Sequence, residues 1–232
     1  MERLDKIISN QTNYTRKEVK ELIKKKSINV NGKIISKSNL KIEPEKDIIM
    51  INNEIIKYQK FLYFILNKPK GYISSTNDQT LPTVLELLPK EYQNRNLFPA
   101  GRLDKDTTGL ILITNDGTFA HNILSPKKHV SKTYKVVIDI PITKEMIEGF
   151  ETGINLNDGK CKPAKLIKKD TNTGIVTLTE GRYHQIKRMF GCFNATVLEL
   201  ERISIGNLKL TKDLKEGEFK ELSKLEIEKY FK

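Results

Sequence analysis

Pro99-Ala100-Gly101-Arg102-Leu103-Asp104-Lys105-Asp106-Thr107-Thr108-Gly109-Leu110-Ile111-Leu112-Ile113-Thr114-Asn115-Asp116-Gly117 is the stretch on which the reading of this 232-residue chain turns. A glycine-led loop carries Arg102 and Asp104 two residues apart. It then runs directly into an apolar block, residues 110–113, closed by an Asn-Asp-Gly turn. A buried strand is a rigid support, and a loop at its mouth is where a reactive side chain is staged against a bound molecule. Asp104 is the candidate. Asp106 can hydrogen-bond the Thr107 or Thr108 backbone, and Asp116 reads as a turn former or helix N-cap. Glycoside hydrolysis by paired carboxylates needs a set separation across the sugar, and the spacing here defines none.

Composition bounds the partner. Charged residues make up 30% of the chain, hydrophobic ones 38%, and the formal net charge is +12 with a pI near 9.5. A polyanion is the natural counterpart, although a lysine-rich surface from compositional bias also contributes. The excess is uneven. Residues 1–60 hold 14 Lys/Arg against 8 Asp/Glu, while the other three quarters hold 27 against 21. A dedicated basic module explains that better than uniform bias. Cys161 and Cys192 are too few for a disulfide framework and lack metal-site spacing, as do His121, His129 and His184. With no apolar run of spanning length and a charged start, the chain reads as cytoplasmic, without a membrane segment.

Residues 1–52 form a first unit in this reading. Leu4, Ile7 and Ile8 have helical spacing, and Thr15-Arg16-Lys17-Glu18 is a capping box ahead of Val19, Leu22 and Ile23. Ile28 to Ile35 carries an Asn31-Gly32 hairpin signal, and residues 47–51 give one more strand. Residues 53–60 are polar enough for a linker, although Ile55, Ile56 and Tyr58 could extend a strand. From residue 61 to 232, strands are expected at 62–66, 97–100, 109–114, 132–139, 163–169, 175–180 and 196–205. Helices are expected at 83–88, 117–124, 143–152, 184–193 and 223–231. Alternating strands joined by short turns predict an α+β architecture with a mixed, mainly antiparallel sheet.

Two further blocks can carry chemistry. In Lys132-Thr133-Tyr134-Lys135-Val136, burial habit alone makes Tyr134 a core aromatic. In Glu180-Gly181-Arg182-Tyr183-His184-Gln185-Ile186-Lys187-Arg188 a glycine turn leads into a helix whose first turn is basic. Cations there oppose the helix dipole, so Lys187 and Arg188 should have an anionic partner, a phosphate or Asp104. Residues 63–72, with Lys68-Pro69-Lys70-Gly71, read as a strand and a structural turn.

The Gly101-Arg102-Leu103-Asp104 block, Lys132-Thr133-Tyr134 and Tyr183-His184-Gln185 closely resemble motifs of the bacterial pseudouridine synthases, in the branch typified by RsuA. The first 50 residues resemble the alpha-L RNA-binding fold. Asp104 is then implied to be the nucleophile and Tyr134 to stack on the target base. Lys187 or Arg188 is implied to hold Asp104 ionised. Arg16, Lys17, Lys20, Lys24 and Lys25 are implied to meet RNA phosphates, with Arg102, Arg182 and His184 contacting RNA nearer the reaction. The implied activity is isomerisation of a uridine in ribosomal RNA, most like the 16S enzyme, possessing neither cofactor nor metal. Large-subunit 23S RNA and a non-catalytic rRNA-binding or assembly factor are the alternatives. The partner is rRNA, free or in an assembling small subunit, and the chain is expected to be a monomer.

Overall fold

A capped helix and an Asn-Gly turn organise the first of two units, Met1–Phe61 together with Leu88–Leu97. The structure, a computed structural model, describes residues 1–125 and 128–231, without the Gln93 side chain; Lys232, the last residue of the expected second domain, lies outside the described residues. The first unit runs β1 (Glu2–Arg3), α1 (Leu4–Gln11), α2 (Arg16–Lys24), β2 (Ile28–Val30), β3 (Lys33–Ile34), β4 (Lys41–Ile42), β5 (Ile49–Ile51) and β6 (Glu54–Ile55). At the start of α2 the Glu18 N–H donates to Thr15 Oγ1 at 3.3 Å, and the Thr15 N–H donates back to Glu18 Oε2 at 2.7 Å. Two donors that a helix start leaves unpaired are thus satisfied. Asn31 (φ 52°) and Gly32 (φ 81°) make the left-handed pair that a tight hairpin between β2 and β3 needs.

Strand order in this unit is β3-β2-β5-β6, with β1 and β4 paired apart. Leu4, Ile8, Val19, Ile28 and Ile49 are at most 1% exposed and form its core. The expected linker belongs to this unit. β6 pairs with β5, Ile56 and Tyr58 pack against the core, and the Gln59 N–H donates to Gln11 Oε1 at 3.0 Å. Ile56 and Tyr58 meet the core while Ile55 stays exposed, and the pairing of β6 with β5 holds the rest of the segment. A 3₁₀ helix at Lys90–Arg95, without counterpart in the sequence reading, also joins this unit, and Arg95 donates to the Gln59 carbonyl.

The second unit, Leu62–Leu87 with Phe98–Lys232, is a mixed sheet. Its strands are β7 (Tyr63–Lys68), β8 (Phe98–Pro99), β9 (Thr108–Thr114), β10 (Lys132–Ile138), β11 (Asn155–Leu156), β12 (Gly159–Lys160), β13 (Lys165–Lys168), β14 (Thr173–Leu178), β15 (Val197–Ile205), β16 (Leu208–Lys209) and β17 (Phe219–Leu222). Helices α3 (Gly117–Leu124), α4 (Lys144–Thr152), α5 (Gln185–Gly191) and α6 (Lys224–Lys229) complete it, with a 3₁₀ turn at Val84–Leu87. The main sheet runs β13-β14-β10-β15-β9-β7-β17. Every neighbouring pair is antiparallel except β15 and β9, which meet in parallel over two residue pairs, Glu201 with Thr108 and Arg202 with Gly109. This α+β sheet matches the expected class.

All residues of β7 and β9 are buried, which is why they read as continuous apolar runs; β10 alternates because one of its faces is wetter. Asp116 caps α3, accepting from the Phe119 N–H at 3.0 Å, and its second oxygen accepts from the Tyr63 hydroxyl at 2.7 Å. Among the described residues no helix is long and apolar enough to cross a membrane.

Candidate active site

The Asp104 loop connects β8 to β9 and is fastened by three side chains and one backbone N–H from outside it. Lys68, at the buried end of β7, donates from Nζ to three carbonyls, Pro69 (2.9 Å), Lys105 (3.1 Å) and Thr107 (2.8 Å). Its side chain is fully enclosed, and burial pushes the ammonium down to about 8. Ser74 braces Leu103 with a reciprocal pair, Oγ donating to the Leu103 carbonyl and accepting from its N–H, both at 2.9 Å. Gly71 (φ 93°) donates to the Lys105 carbonyl at 3.0 Å. Arg202, from β15, donates through Nε to the Leu110 carbonyl at 2.7 Å and through Nη1 to Arg102 at 3.5 Å.

Gly109 is indispensable to this packing. It has φ 97°, and a Cβ there would lie 2.4 Å from the Arg202 carbonyl oxygen and 2.8 Å from its nitrogen. The strand carrying Arg202 can approach the loop only because no side chain intervenes.

From the other side, the segment 180–188 brings two basic groups to Asp104. His184 Nε2 lies 3.4 Å from Oδ1 and Lys187 Nζ lies 4.0 Å from Oδ2. The carboxylate keeps 30% exposure, so it stays open to a bound molecule. His184 sits in the left-handed region (φ 47°, ψ 34°) immediately before α5, and its ring stacks on Tyr183 with centroids 3.8 Å apart. An αL non-glycine residue costs about 1 kcal/mol or more, a strain this segment holds beside the carboxylate.

Lys187 and Arg188 therefore part company. Arg188 is not brought to Asp104: its guanidinium pairs with both oxygens of Asp158, in the β11–β12 turn. That partner holds the Asp158 carboxyl below its ordinary range. The helix pitch explains the split, since adjacent residues point about 100° apart and only one can face the loop. Arg182, expected to contact RNA, caps the same turn by donating to the carbonyls of Asp158 (3.4 Å), Gly159 (2.9 Å) and Lys160 (2.6 Å). Arg102 is exposed, as are Arg16, Lys17, Lys20, Lys24 and Lys25 along α2 in the first unit.

Asp104, Lys187, His184, Tyr134 and Arg202 line one cleft of about 690 Å³, a volume suited to a nucleotide-sized ligand. Tyr134 is only 9% exposed and lies directly across the ladder from Arg202, beside a register shift at Thr133/Tyr134. Such a bulge re-aims the side chains next to it.

Lys68 and Arg202 were missed as site residues. Both carried a signal: a lysine two positions beyond the apolar run 62–66, and a charge at an inward position between Leu200 and Ser204.

A family model for RNA pseudouridylate synthases matches residues 62–191, and a model for the S4 domain matches residues 2–49. The chain is an RNA pseudouridine synthase. A Bacillus subtilis (strain 168) protein named "Uncharacterized RNA pseudouridine synthase YtzG" is 41% identical to this synthase over 230 residues, covering 97% of this chain and 96% of the relative. "Ribosomal small subunit pseudouridine synthase A" of Escherichia coli strain K12 is 40% identical over 227 residues, covering 97% and 98%. The Haemophilus influenzae protein of the same name is 38% identical, covering 99% and 100%. A crystal structure of a pseudouridylate synthase superposes at a TM-score of 0.70 with 38% identity, over 99% of this chain and 100% of that one. The synthase joins an S4 unit to an α+β catalytic unit, and its activity is the isomerisation of uridine to pseudouridine in RNA.

Proposed function

We propose that the synthase acts on a uridine of small-subunit ribosomal RNA in the cytoplasm, as a monomer, with Asp104 as its nucleophile. One observation carries the role of Asp104: it is the cleft carboxylate that stands between two basic side chains, with Lys187 at 4.0 Å and His184 at 3.4 Å. A nucleophile and a base both act through a carboxylate oxygen, and the two basic groups flank that carboxylate where it faces the cleft. The substrate choice rests on near-full-length likeness to relatives named for the small ribosomal subunit.

The basic face of α2 supplies affinity for RNA phosphates and little sequence reading. The target uridine leaves its stack, at a cost of about a few kcal/mol, and enters the cleft beside Tyr134. Asp104 then attacks the sugar at carbon 1′, attacks carbon 6 of the base, or removes the 2′ proton. The bond from N1 to the sugar breaks, the base turns, and carbon 5 bonds to carbon 1′. The proton on carbon 5 is lost and N1 gains one, so the reaction balances without an outside reagent.

Tritium release from RNA carrying 5-tritiated uridine tests this, with small-subunit and large-subunit transcripts assayed apart. Asp104→Asn should bind RNA as the wild type does and lose on the order of 10³-fold or more in turnover, since an amide is a poor nucleophile and base. Full activity in that variant would remove Asp104 from the mechanism. Release from the large-subunit transcript alone would overturn the substrate.

A further inference from the structure

Arg202 is a buried cation without a carboxylate. Its side chain is 2% exposed, and among the described residues no Asp or Glu oxygen lies within 4 Å of its guanidinium. Two of its nitrogens are taken by the carbonyls of Arg102 and Leu110, on either side of Asp104. The third, Nη2, is enclosed and has no hydrogen-bond partner. Burying a charge without a counter-ion costs several kcal/mol, so a fold that keeps one has either found compensation elsewhere or holds it for a ligand.

The neighbouring charges give no compensation. Lys132, from β10, lines the same cleft, and burial together with the charge of Arg202 holds its ammonium below the ordinary range. Of the acidic side chains lining the cleft, Asp104 faces His184 and Lys187. Glu180 accepts from Gln185 Nε2 at 2.6 Å and from the Lys162 N–H at 3.1 Å. Buried Arg202 and part-buried Lys132, whose Nζ donates to the Val130 carbonyl at 3.3 Å, therefore stand at the cleft with no carboxylate partner among the described residues. Arg202 lies directly across the ladder from Tyr134 and against the backbone of Gly109, where the sheet's two antiparallel halves join.

We propose that Arg202, assisted by Lys132, stabilises the negative charge that the uracil ring acquires during the reaction, while its other two nitrogens hold the Asp104 loop in place. The proposal deepens the reading of the Asp104 cleft as the reaction site and rests on it. It does not depend on the route. If Asp104 attacks carbon 1′, the electron pair of the breaking bond stays on N1 and spreads to the ring carbonyls. If it removes the 2′ proton, elimination expels the same anion. If it attacks carbon 6, the pair moves to carbon 5 and the carbon-4 oxygen. Each route puts one negative charge on the ring, and a preorganised cation in a dry site favours that state over the neutral ground state. Arg202 exchanges no proton at any stage. It is an electrostatic and positioning residue.

Single-turnover kinetics on a short RNA containing the target uridine test this, with Arg202→Gln and Arg202→Lys beside the wild type. Arg202→Gln should lower the rate on the order of 100-fold, with RNA affinity within about twofold. Arg202→Lys, which keeps the charge but not the fork, should recover about tenfold of that. A second RNA carries 5-fluorouridine at the target, followed as loss of the nucleoside by mass spectrometry. Fluorine withdraws electrons and stabilises the ring anion itself, so the deficit of Arg202→Gln should shrink at least severalfold. A deficit equal on both RNAs, or no rescue by lysine, would reduce Arg202 to a loop fastener and overturn the proposal. Wild-type rate in a folded Arg202→Gln would overturn it outright. Should the glutamine variant not fold, the lysine variant and Lys132→Gln on the two RNAs decide by the same comparison. A wild type silent on every RNA would instead sink the underlying reading of the site.

Discussion

Two segments meet at Asp104, and they are held in opposite ways. The loop that carries it is fastened from beneath by Lys68 and Arg202, both buried, whose cationic heads bind backbone carbonyls. The segment 180–188 that supplies His184 and Lys187 is tied down at the surface by Asp158, half exposed, with Arg188 and Arg182 as its partners. Buried cation-to-carbonyl bonds are little affected by salt, whereas exposed ion pairs are screened. The support of the carboxylate therefore resists salt, while its basic partners, on a helix whose other face is buried, depend in part on salt-sensitive surface pairs. Such a division suits the proposed reaction, in which the carboxylate must keep its place while a flipped base enters and turns.

The harshest way to break the salt-resistant side is Gly109→Ala. A Cβ at 2.4 Å from the Arg202 carbonyl oxygen, on a residue with φ 97°, forces β15 and β9 apart where only two residue pairs join them. A loss of about 3 kcal/mol or more in urea unfolding is expected, with activity lost well below the melting point. A variant of unchanged stability would show that the loop is not clamped by this approach.

Lys68→Met comes next and tests the buried cation itself. The ammonium sits at about 8 in the folded chain, against an ordinary 10.5. Between those values the unfolded chain binds a proton that the folded chain does not, so wild-type stability gains with rising pH from this group. The gain is complete above 10.5 and lost as pH falls through 8. The wild type should therefore gain on Lys68→Met by up to about 1.4 kcal/mol per pH unit above pH 8, and the gap should be flat below it. Urea midpoints at pH 7, 8, 9 and 9.5 measure this. A gap that does not change with pH would mean Lys68 stays charged throughout.

The same contrast explains what was legible in the sequence. The core strands, the Thr15–Glu18 capping box, the Asn31-Gly32 turn and the Asp116 cap all announce themselves, because their causes are local: period, cap chemistry and backbone freedom. The Asp104 loop was legible for the same reason. What stayed hidden was long-range. Arg202 reaches Leu110 across 92 positions and Lys68 reaches Thr107 across 39, and no local pattern encodes which carbonyls a buried cation will find. Two residues in a basic helical turn looked equivalent until the helix pitch gave Lys187 to Asp104 and Arg188 to Asp158. The polar segment 53–60 looked like a linker because Ile55, Ile56 and Tyr58 are too few to make a period, yet two of them pack on a core formed elsewhere.

Asp158→Asn gives the smallest effect and probes the salt-sensitive side. The amide keeps the turn of the β11–β12 hairpin but removes the charge that both arginines share. Fold stability should hardly move, since the carboxylate is half exposed. Turnover should fall only about threefold at low salt, because the backbone bonds of Arg182 to Gly159 and Lys160 remain. The sharper signature is the salt response of the chemical step, measured in single turnover with saturating synthase so that RNA binding drops out. The wild type should slow with added salt as the Asp158 pairs are screened, and the variant, which lacks those pairs, should slow much less. If both slow alike, the salt acts on the Lys187–Asp104 contact directly, and the surface ties do not set the position of the basic partners.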